Sequence, residues 1–214
     1  MSLTNSRQVR GEIQDLALQS VNDSIFKNES GKNKGIIEME KKAKTSNKIP
    51  VKVLPAGPKA KSLIGSLAPD VECEVTGEQK INLQNLKGSI VVLYFYPKDK
   101  TPGCTLEGQE FTRLKAKFKK LGAQIFGVSA DSLKSHESFQ KTCGLKIDLI
   151  ADSDQKLCKA FNVIQMKSLY GRQYLGIERS SFVIDQKSVI RAEWRKLKVA
   201  GHAESVLDFV KNLK

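Results

Sequence analysis

Apolar residues along positions 62–214 fall into blocks whose spacing alternates between that of a strand and that of a helix. Ile90–Tyr96 is a continuous run of apolar, β-branched and aromatic residues, which is typical of a strand buried on both faces. The apolar residues that follow recur at helical spacing: Leu106, Phe111, Leu114, Phe118 and Leu121. Gly122 is placed to end this helix. The pattern therefore predicts a buried strand followed directly by an amphipathic helix.

The alternation continues to the end of the chain. Ala123–Ser129 is predicted as a second buried strand and Ser132–Thr142 as a second helix. The later predicted elements are a short strand at Asp148–Ala151, a short helix at Asp154–Phe161, a hairpin of Arg179–Asp185 with Val189–Trp194, and a closing helix at His202–Leu213. This order predicts an α/β fold, a thioredoxin-like sandwich in which helices flank a mixed central sheet.

Residues 1–61 lack this regular order. Apolar residues at helical spacing predict one amphipathic helix at about residues 7–27. Lys27–Lys61 is rich in Lys, Asn, Ser and Gly and contains three prolines, so it cannot bury enough apolar surface to offset the entropy of ordering. We therefore expect a basic, largely flexible N-terminal extension of residues 1–61 and one domain of residues 62–214.

The net charge of +13 does not require an acidic partner, because residues 1–61 hold +6 of it and residues 62–214 hold +7. The strongest argument for a nucleic-acid, membrane-surface or nuclear-targeting role is Lys41-Lys42-Ala43-Lys44. This run is shorter than the basic clusters of about 5–8 residues that such signals use, and no aromatic stacking platform accompanies it. We expect a solvated basic tail and no nucleic-acid partner.

The chain carries no feature that predicts export or membrane insertion. No apolar run reaches the roughly 18 residues of a bilayer span, and the N-terminus does not read as a secretory signal. We expect a cytoplasmic protein, with the nucleus as the alternative.

The cysteines are widely separated, at Cys73, Cys104, Cys143 and Cys158. No C-x-x-C pair is present, and only His136 and His202 could assist a metal, so neither a zinc site nor a thioredoxin-type dithiol is predicted. For both histidines we predict capping or surface hydrogen bonding rather than catalysis. Cys73 and Cys158 are expected to be structural thiols.

Cys104 has a setting that favours reactivity. It ends the segment YPKDKTPGC, between the strongest predicted strand and the strongest predicted helix. Unpaired N–H groups and the partial positive charge of a helix N-terminus stabilise a thiolate. Pro102 and Gly103 suit a tight entry into the helix, and the Thr101 hydroxyl can donate and accept hydrogen bonds near the reacting atoms. A peroxide needs such a nucleophile and such donors.

Pro97, Thr101 and Cys104 fit the P-x-x-x-T-x-x-C signature of peroxiredoxins, and FYPKDKTPGCT resembles the Q, or bacterioferritin comigratory protein, subfamily. The resemblance covers about residues 62–214 and not the N-terminal extension. Further segments that match are GVSADS at 127–132, the Ser135-His136 pair, GIERSSF at 176–182, and WRK and VAGH near the C-terminus.

The resemblance implies a thiol peroxidase that reduces hydrogen peroxide and organic (alkyl) hydroperoxides. Cys104 would be the peroxidatic nucleophile, Arg179 would support the thiolate and the peroxide, and Glu107 would help to orient that arginine. Thioredoxin or a similar dithiol protein would regenerate the enzyme, without a metal or organic cofactor. The subfamily is often monomeric, and we expect the same here.

The sequence departs from the family where a resolving cysteine is expected. Gln109 occupies one of the two usual positions and Gln140 the other. Cys143 lies three residues after Gln140, about one helical turn farther and on roughly the same face. Either Cys143 is the resolving cysteine, or an external thiol reduces the sulfenic acid directly in a one-cysteine mechanism.

A second hypothesis belongs to another functional class. The thioredoxin-like domain could serve as a redox sensor or a holdase, with the basic extension as an interaction arm. Peroxide turnover in the presence of a thioredoxin system separates this hypothesis from the peroxidase.

Overall fold

The computed structural model describes residues 61–169 and 171–213. In chain order the elements are β1 (Glu72–Val75), β2 (Gln79–Asn82), a 3₁₀ helix (Leu83–Leu86), β3 (Ile90–Phe95), α1 (Pro102–Lys120), β4 (Ala123–Ser129), α2 (Leu133–Cys143), β5 (Asp148–Ala151), α3 (Lys156–Ala160), β6 (Ile164–Leu169), β7 (Arg172–Ile177), β8 (Ser180–Ile184), β9 (Ile190–Arg195) and α4 (His202–Asn212). The predicted helix at residues 7–27 and the tether that follows it lie outside the described residues.

Seven of the strands form one mixed sheet with the order β2-β1-β5-β4-β3-β8-β9. The three central strands β5, β4 and β3 run parallel, whereas β1 and β8 join them antiparallel. The helices α1 and α2 make the two connections between parallel neighbours, as such connections require. The predicted thioredoxin-like sandwich is confirmed.

The central strand β3 separates two hydrophobic cores because its side chains alternate between the faces of the sheet. All six of its residues are buried. Val92 and Tyr94 belong to the core that contains Cys104, and Leu93 and Phe95 belong to the core on the other face. Helices α1 and α4 cover the first core, with Phe111, Leu114, Phe118, Val206, Leu207 and Val210 pointing inward.

The turns that bound α1 and α2 follow from their sequences. Pro102 occupies the first position of α1, where its missing N–H removes no helical bond. Gly122, just after α1, has φ of 71°, and Gly144 ends α2 in the left-handed conformation, which glycine adopts without steric cost. The Ser132 side chain caps α2 by accepting from the Ser135 N–H.

The structure departs from the predicted pattern in several places, and β2 and the 3₁₀ helix are among the elements that were not predicted. Leu106 is 46% exposed, so the apolar stripe of α1 begins at Phe111. The antiparallel hairpin of β6 and β7 was not predicted, because most of its described side chains are exposed or half-buried and follow no clear period. Arg179 precedes β8, which begins at Ser180.

Gly127, in the middle of β4, tests how tightly the first core is packed. A Cβ added there would lie 2.5 Å from Tyr94 Oη and 2.7 Å from Leu149 Cδ2. We expect Gly127→Ala to lower the free energy of unfolding by about 1–3 kcal/mol through overpacking, measured by urea denaturation. An unchanged unfolding midpoint would contradict this packing.

Tyr94→Phe is the matched control. The Tyr94 hydroxyl is buried and has no hydrogen-bond partner among the described residues, so its removal should be neutral or stabilising. The combined variant Tyr94→Phe/Gly127→Ala should recover part of the stability that Gly127→Ala loses.

Candidate active site

Cys104 is the third residue of α1 and is only 1% exposed. The first turn of a helix presents backbone N–H groups and a partial positive charge to a thiolate at this position. The predicted setting of Cys104, directly after a buried strand and in the first turn of a long helix, is therefore confirmed.

The guanidinium of Arg179 reaches both Cys104 and Glu107. Arg179 Nη2 lies 3.2 Å from Cys104 Sγ, and Nη1 donates to Glu107 Oε2. Gly103 allows this approach, because a Cβ on that residue would lie 3.3 Å from Arg179 Nη2. A planar guanidinium can make the two contacts at once and keeps its charge at neutral pH. The structure thus brings together three of the predicted site residues.

Glu107 lies almost one helical turn after Cys104 and is 1% exposed. Its Oε1 atom is buried and has no hydrogen-bond partner among the described residues. Burial raises the pKa of Glu107, although the Arg179 guanidinium opposes this shift. Burial lowers the pKa of Arg179, but Glu107 and Cys104 outweigh it and raise that pKa above its ordinary value. The ion pair therefore holds Arg179 as a cation beside the thiol.

Thr101 and Pro97 lie on the loop between β3 and α1. Thr101 is the N-cap residue of α1, and its hydroxyl donates to the Lys98 carbonyl at 3.2 Å. A hydroxyl oxygen that donates its proton in this way still has lone pairs with which to accept a hydrogen bond. Pro97 is exposed at the start of the loop.

Cys143, the last residue of α2, is half-buried against α1. Its Sγ lies 3.9 Å from Thr105 Oγ1, and its carbonyl accepts from Gln109 Nε2 at 3.2 Å. Gln140 anchors the same helix, with Nε2 donating to the Ile147 carbonyl at 2.7 Å and to Thr76 Oγ1 at 3.1 Å. Gln109 and Gln140 occupy the two positions where a resolving cysteine was expected. Both therefore make hydrogen bonds that anchor α2.

The other two cysteines are buried in the core on the opposite face of the sheet. Burial raises the pKa of Cys73 to about 12, with Asp152 adding to the shift. Burial also raises the pKa of Cys158, again with a contribution from Asp152. Both thiols are thereby kept protonated and unreactive.

Both histidines are buried, so the prediction of a surface role for them is wrong. His202 Nε2 lies 2.8 Å from Ser181 Oγ, and burial, together with Arg179, lowers the pKa of His202 to about 4. His136 is fully buried beside Asp99, with 2.9 Å between Nδ1 and Oδ2. Sequence reasoning gave no role to Asp99, although it lies inside the signature segment.

A cleft of about 330 Å³ opens beside Arg179. Lys167, Lys196 and Glu178 supply charged lining, and Met166 and Leu197 supply apolar lining. Burial and Arg179 lower the pKa of Lys167, whereas Glu178 and Cys104 oppose that shift. Lys167 was not singled out from the sequence because it lies on β6, in the hairpin that was not predicted.

Within residues 61–169 and 171–213, no group of three or more His, Cys, Asp or Glu side chains is placed to hold a metal ion. None of the helices in this part of the chain is both long and apolar enough to cross a bilayer. The chemistry that the site offers is that of a cysteine thiol at a helix N-terminus, beside a permanent cation and a small cleft.

The chain is similar to proteins of known family. A family model described as AhpC/TSA family matches residues 64–193. Peroxiredoxin Bcp of Xanthomonas campestris is 47% identical over 142 residues, which cover 66% of this chain and 89% of that protein. Peroxiredoxin Bcp of Bacillus subtilis is 42% identical over 150 residues, which cover 70% and 96%.

Solved structures are also similar to this chain. Xanthomonas campestris Peroxiredoxin Q is 46% identical with a TM-score of 0.66, covering 68% of this chain and 92% of that one. A structure concerned with the alkyl peroxide reduction activity of the Xanthomonas campestris bacterioferritin comigratory protein is 44% identical with a TM-score of 0.67. It covers 71% of this chain and 98% of that one.

The contact between Arg179 and Cys104 predicts how the thiol reacts. In Arg179→Lys, a single ammonium cannot contact both Cys104 and Glu107 as the planar fork does. We expect iodoacetamide to alkylate Cys104 at least about tenfold more slowly, because the reacting sulfur loses its charge-assisted contact with Nη2, as measured by peptide mass spectrometry. Arg191→Lys, which alters an ion pair with Asp185, is the control. Equal alkylation rates in the unmodified protein and both variants would contradict an effect of Arg179 on the reactivity of Cys104.

Proposed function

The chain belongs to the AhpC/TSA family, and we propose that Cys104 is the peroxidatic cysteine through which it acts as a thiol-dependent peroxidase. The observation that carries this assignment is the contact of 3.2 Å between Arg179 Nη2 and Cys104 Sγ at the N-terminus of α1. Among the four cysteines, Cys104 alone combines an opposite charge with a helix N-terminus.

The first step is a displacement at the peroxide. The Cys104 thiolate attacks one peroxide oxygen, the S–O bond forms as the O–O bond breaks, and the departing hydroxide or alkoxide takes up a proton. Cys104 becomes a sulfenic acid and the peroxide becomes water or an alcohol. Arg179 stabilises the charge that develops on the oxygens, and the Thr101 hydroxyl accepts a hydrogen bond from the peroxide. Pro97 fixes the backbone at the start of the loop that carries Thr101.

The cleft beside Arg179 supports organic hydroperoxides as substrates in addition to hydrogen peroxide. Met166 and Leu197 offer apolar contact for an alkyl group, while Arg179 reaches the reacting sulfur. A substrate whose peroxide group lies at Cys104 would extend its remainder along this cleft.

For the second step we propose that Cys143 is the resolving cysteine. It is half-buried, and its sulfur already lies against Thr105, the neighbour of Cys104. Condensation of the Cys104 sulfenic acid with the Cys143 thiol forms an S–S bond and releases water. Thioredoxin or a similar dithiol protein then reduces the disulfide by thiol–disulfide exchange.

The remaining assignments follow from this chemistry and from composition. A disulfide that must be reduced in every cycle suits the cytoplasm, where thiols are kept reduced. We propose a monomer whose catalytic domain is formed by residues 62–214. Residues 1–61 are assigned to a separate basic extension.

We expect Cys104→Ser to abolish peroxide consumption, because a hydroxyl is a far weaker nucleophile than a thiolate. The assay follows NADPH oxidation in the presence of thioredoxin and thioredoxin reductase, with hydrogen peroxide and with an alkyl hydroperoxide. Cys158→Ser should retain the activity, since Cys158 is buried in the other core. Full turnover by Cys104→Ser would rule out the nucleophile assignment.

The resolving step has its own test. After one equivalent of hydrogen peroxide, peptide mass spectrometry should detect a Cys104–Cys143 linkage. Cys143→Ser should accumulate the sulfenic acid and lose most of its thioredoxin-dependent turnover. Detection of sulfenic or over-oxidised Cys104 without any linkage in the unmodified protein would instead support a one-cysteine mechanism.

A further inference from the structure

A buried polar network joins the active-site loop to α2. Asp99, two residues before Thr101, is 6% exposed. Its carboxylate accepts from Tyr96 Oη at 2.8 Å and from Ser135 Oγ at 2.7 Å. His136 Nδ1 lies 2.9 Å from the same carboxylate. Because Ser135 and His136 belong to α2, Asp99 holds the loop and the helix together.

His136 connects Asp99 to the backbone of β5 in this network. Nε2 lies 3.1 Å from the Ile150 carbonyl, and a carbonyl oxygen can only accept a hydrogen bond. Nδ1 faces the Asp99 carboxylate, which also only accepts when it is ionised. The ring therefore bridges the active-site loop and β5 through two buried oxygen atoms. Burial opposes ionisation of Asp99, but hydrogen bonds from His136 and Ser135 outweigh it and lower the pKa of the carboxyl.

The faces of α1 show why α2 has to move before a disulfide can form. Cys143 packs against Thr105 and Gln109, which lie four residues apart and therefore on one face of α1. Cys104 precedes Thr105 by one residue, so its side chain points about 100° away around the helix axis. Cys104 is 1% exposed, and its sulfur is in contact with Arg179. A bond between the two sulfurs thus requires the present packing of α1 against α2 to open.

We propose that the Asp99–His136 pair is a buried latch that holds α2 against the active-site loop, and that its opening sets how fast Cys143 reaches the oxidised Cys104. This inference rests on the proposed function of Cys143 as the resolving cysteine. His136 acts here as a positioning residue: it touches neither the peroxide nor the sulfur, and it works through α2.

Phe139 buries its ring in the first core, and the polar contacts that hold α2 outside the network are of a weaker kind. Gln140 makes two neutral hydrogen bonds to Ile147 and Thr76, and Lys100 Nζ bonds to Ser138 Oγ at 2.8 Å in an exposed position. The hydrogen bond between His136 and Asp99 is charge-assisted and fully buried, and bonds of this kind are roughly twice as strong as neutral ones. Among the polar contacts of α2, the latch is therefore the one whose loss should matter most.

The latch decides between two fates of the Cys104 sulfenic acid. With the latch closed, the sulfenic acid stays in the folded site, where a second peroxide can oxidise it to sulfinic acid and leave as water or an alcohol. With the latch open, Cys143 condenses with it, and water leaves as the disulfide forms. The latch therefore trades rapid resolution against exposure to over-oxidation.

The test compares His136→Asn, Asp99→Asn and the double variant in the full-length protein. His136→Asn removes the ring that reaches both Asp99 and Ile150. A single substitution leaves one member of the buried pair without its hydrogen-bond partner, so we expect disulfide formation after one equivalent of hydrogen peroxide to be at least about tenfold faster. The double variant should be no faster than the single ones, because the same latch is broken. Acid quenching, alkylation and peptide mass spectrometry give the rate and the sulfinic fraction, which should fall.

Two control variants separate a latch from general loss of stability. Glu137→Gln changes an exposed charge on α2 and should resolve at the rate of the unmodified protein. Val206→Ala creates a cavity under α4, where Val206 is fully buried, and should lower global stability without affecting the latch. The proposal is wrong if His136→Asn resolves no faster than the unmodified protein, or if Val206→Ala accelerates resolution equally.

Hydrogen exchange distinguishes failure of the latch from failure of the resolving function. In the reduced protein, the amides of α2 should exchange faster in His136→Asn than in Val206→Ala, whatever the role of Cys143. Unchanged exchange in α2 would overturn the latch. If the unmodified protein forms no Cys104–Cys143 linkage, the resolving function and the kinetic role of the latch both fall, while exchange still tests whether the pair holds α2.

Discussion

The site depends on one guanidinium that links parts of the chain 75 residues apart. Arg179 donates to Cys104 and to Glu107, and each of these contacts supports the other. The buried carboxylate of Glu107 would be costly without a counter-charge, and the cation would have fewer partners without Glu107. The resulting arrangement places a fixed positive charge at the sulfur of a residue that is almost fully buried. Little rearrangement is then needed when charge develops during the reaction.

The four thiols show how strongly environment determines cysteine chemistry. Cys104 and Cys158 are both almost fully buried. Cys104 lies beside the cation of Arg179, whereas Asp152 helps to raise the pKa of Cys158. The sign of the neighbouring charge therefore separates them, since both are buried. Cys143 is the most accessible of the four, since it is half-buried and the others are buried, and this accessibility suits the resolving role proposed for it.

Much of the fold could be predicted because its central strands and long helices follow simple periods. The Cys104 segment was recognisable because Pro97, Thr101 and Cys104 lie within eight residues. Arg179 could be assigned only through family resemblance, since no local pattern connects it to Cys104. The partnership of Asp99 with His136 was missed because it depends on how α2 packs against the loop. The β6–β7 hairpin was missed because the exposure of its side chains leaves no periodic signal.

The register between β3 and β8 determines where Arg179 lies relative to Cys104. Phe95, near the end of β3, is opposite Ser180, the first residue of β8. The chain leaves β3 toward Cys104, and Arg179 directly precedes β8, so this one pairing fixes the relative positions of Cys104 and Arg179. A slip of one residue between these strands would turn Arg179 to the other face of the sheet. Core side chains that lock the register, although they touch no substrate, therefore also determine whether the sulfur has a charge beside it.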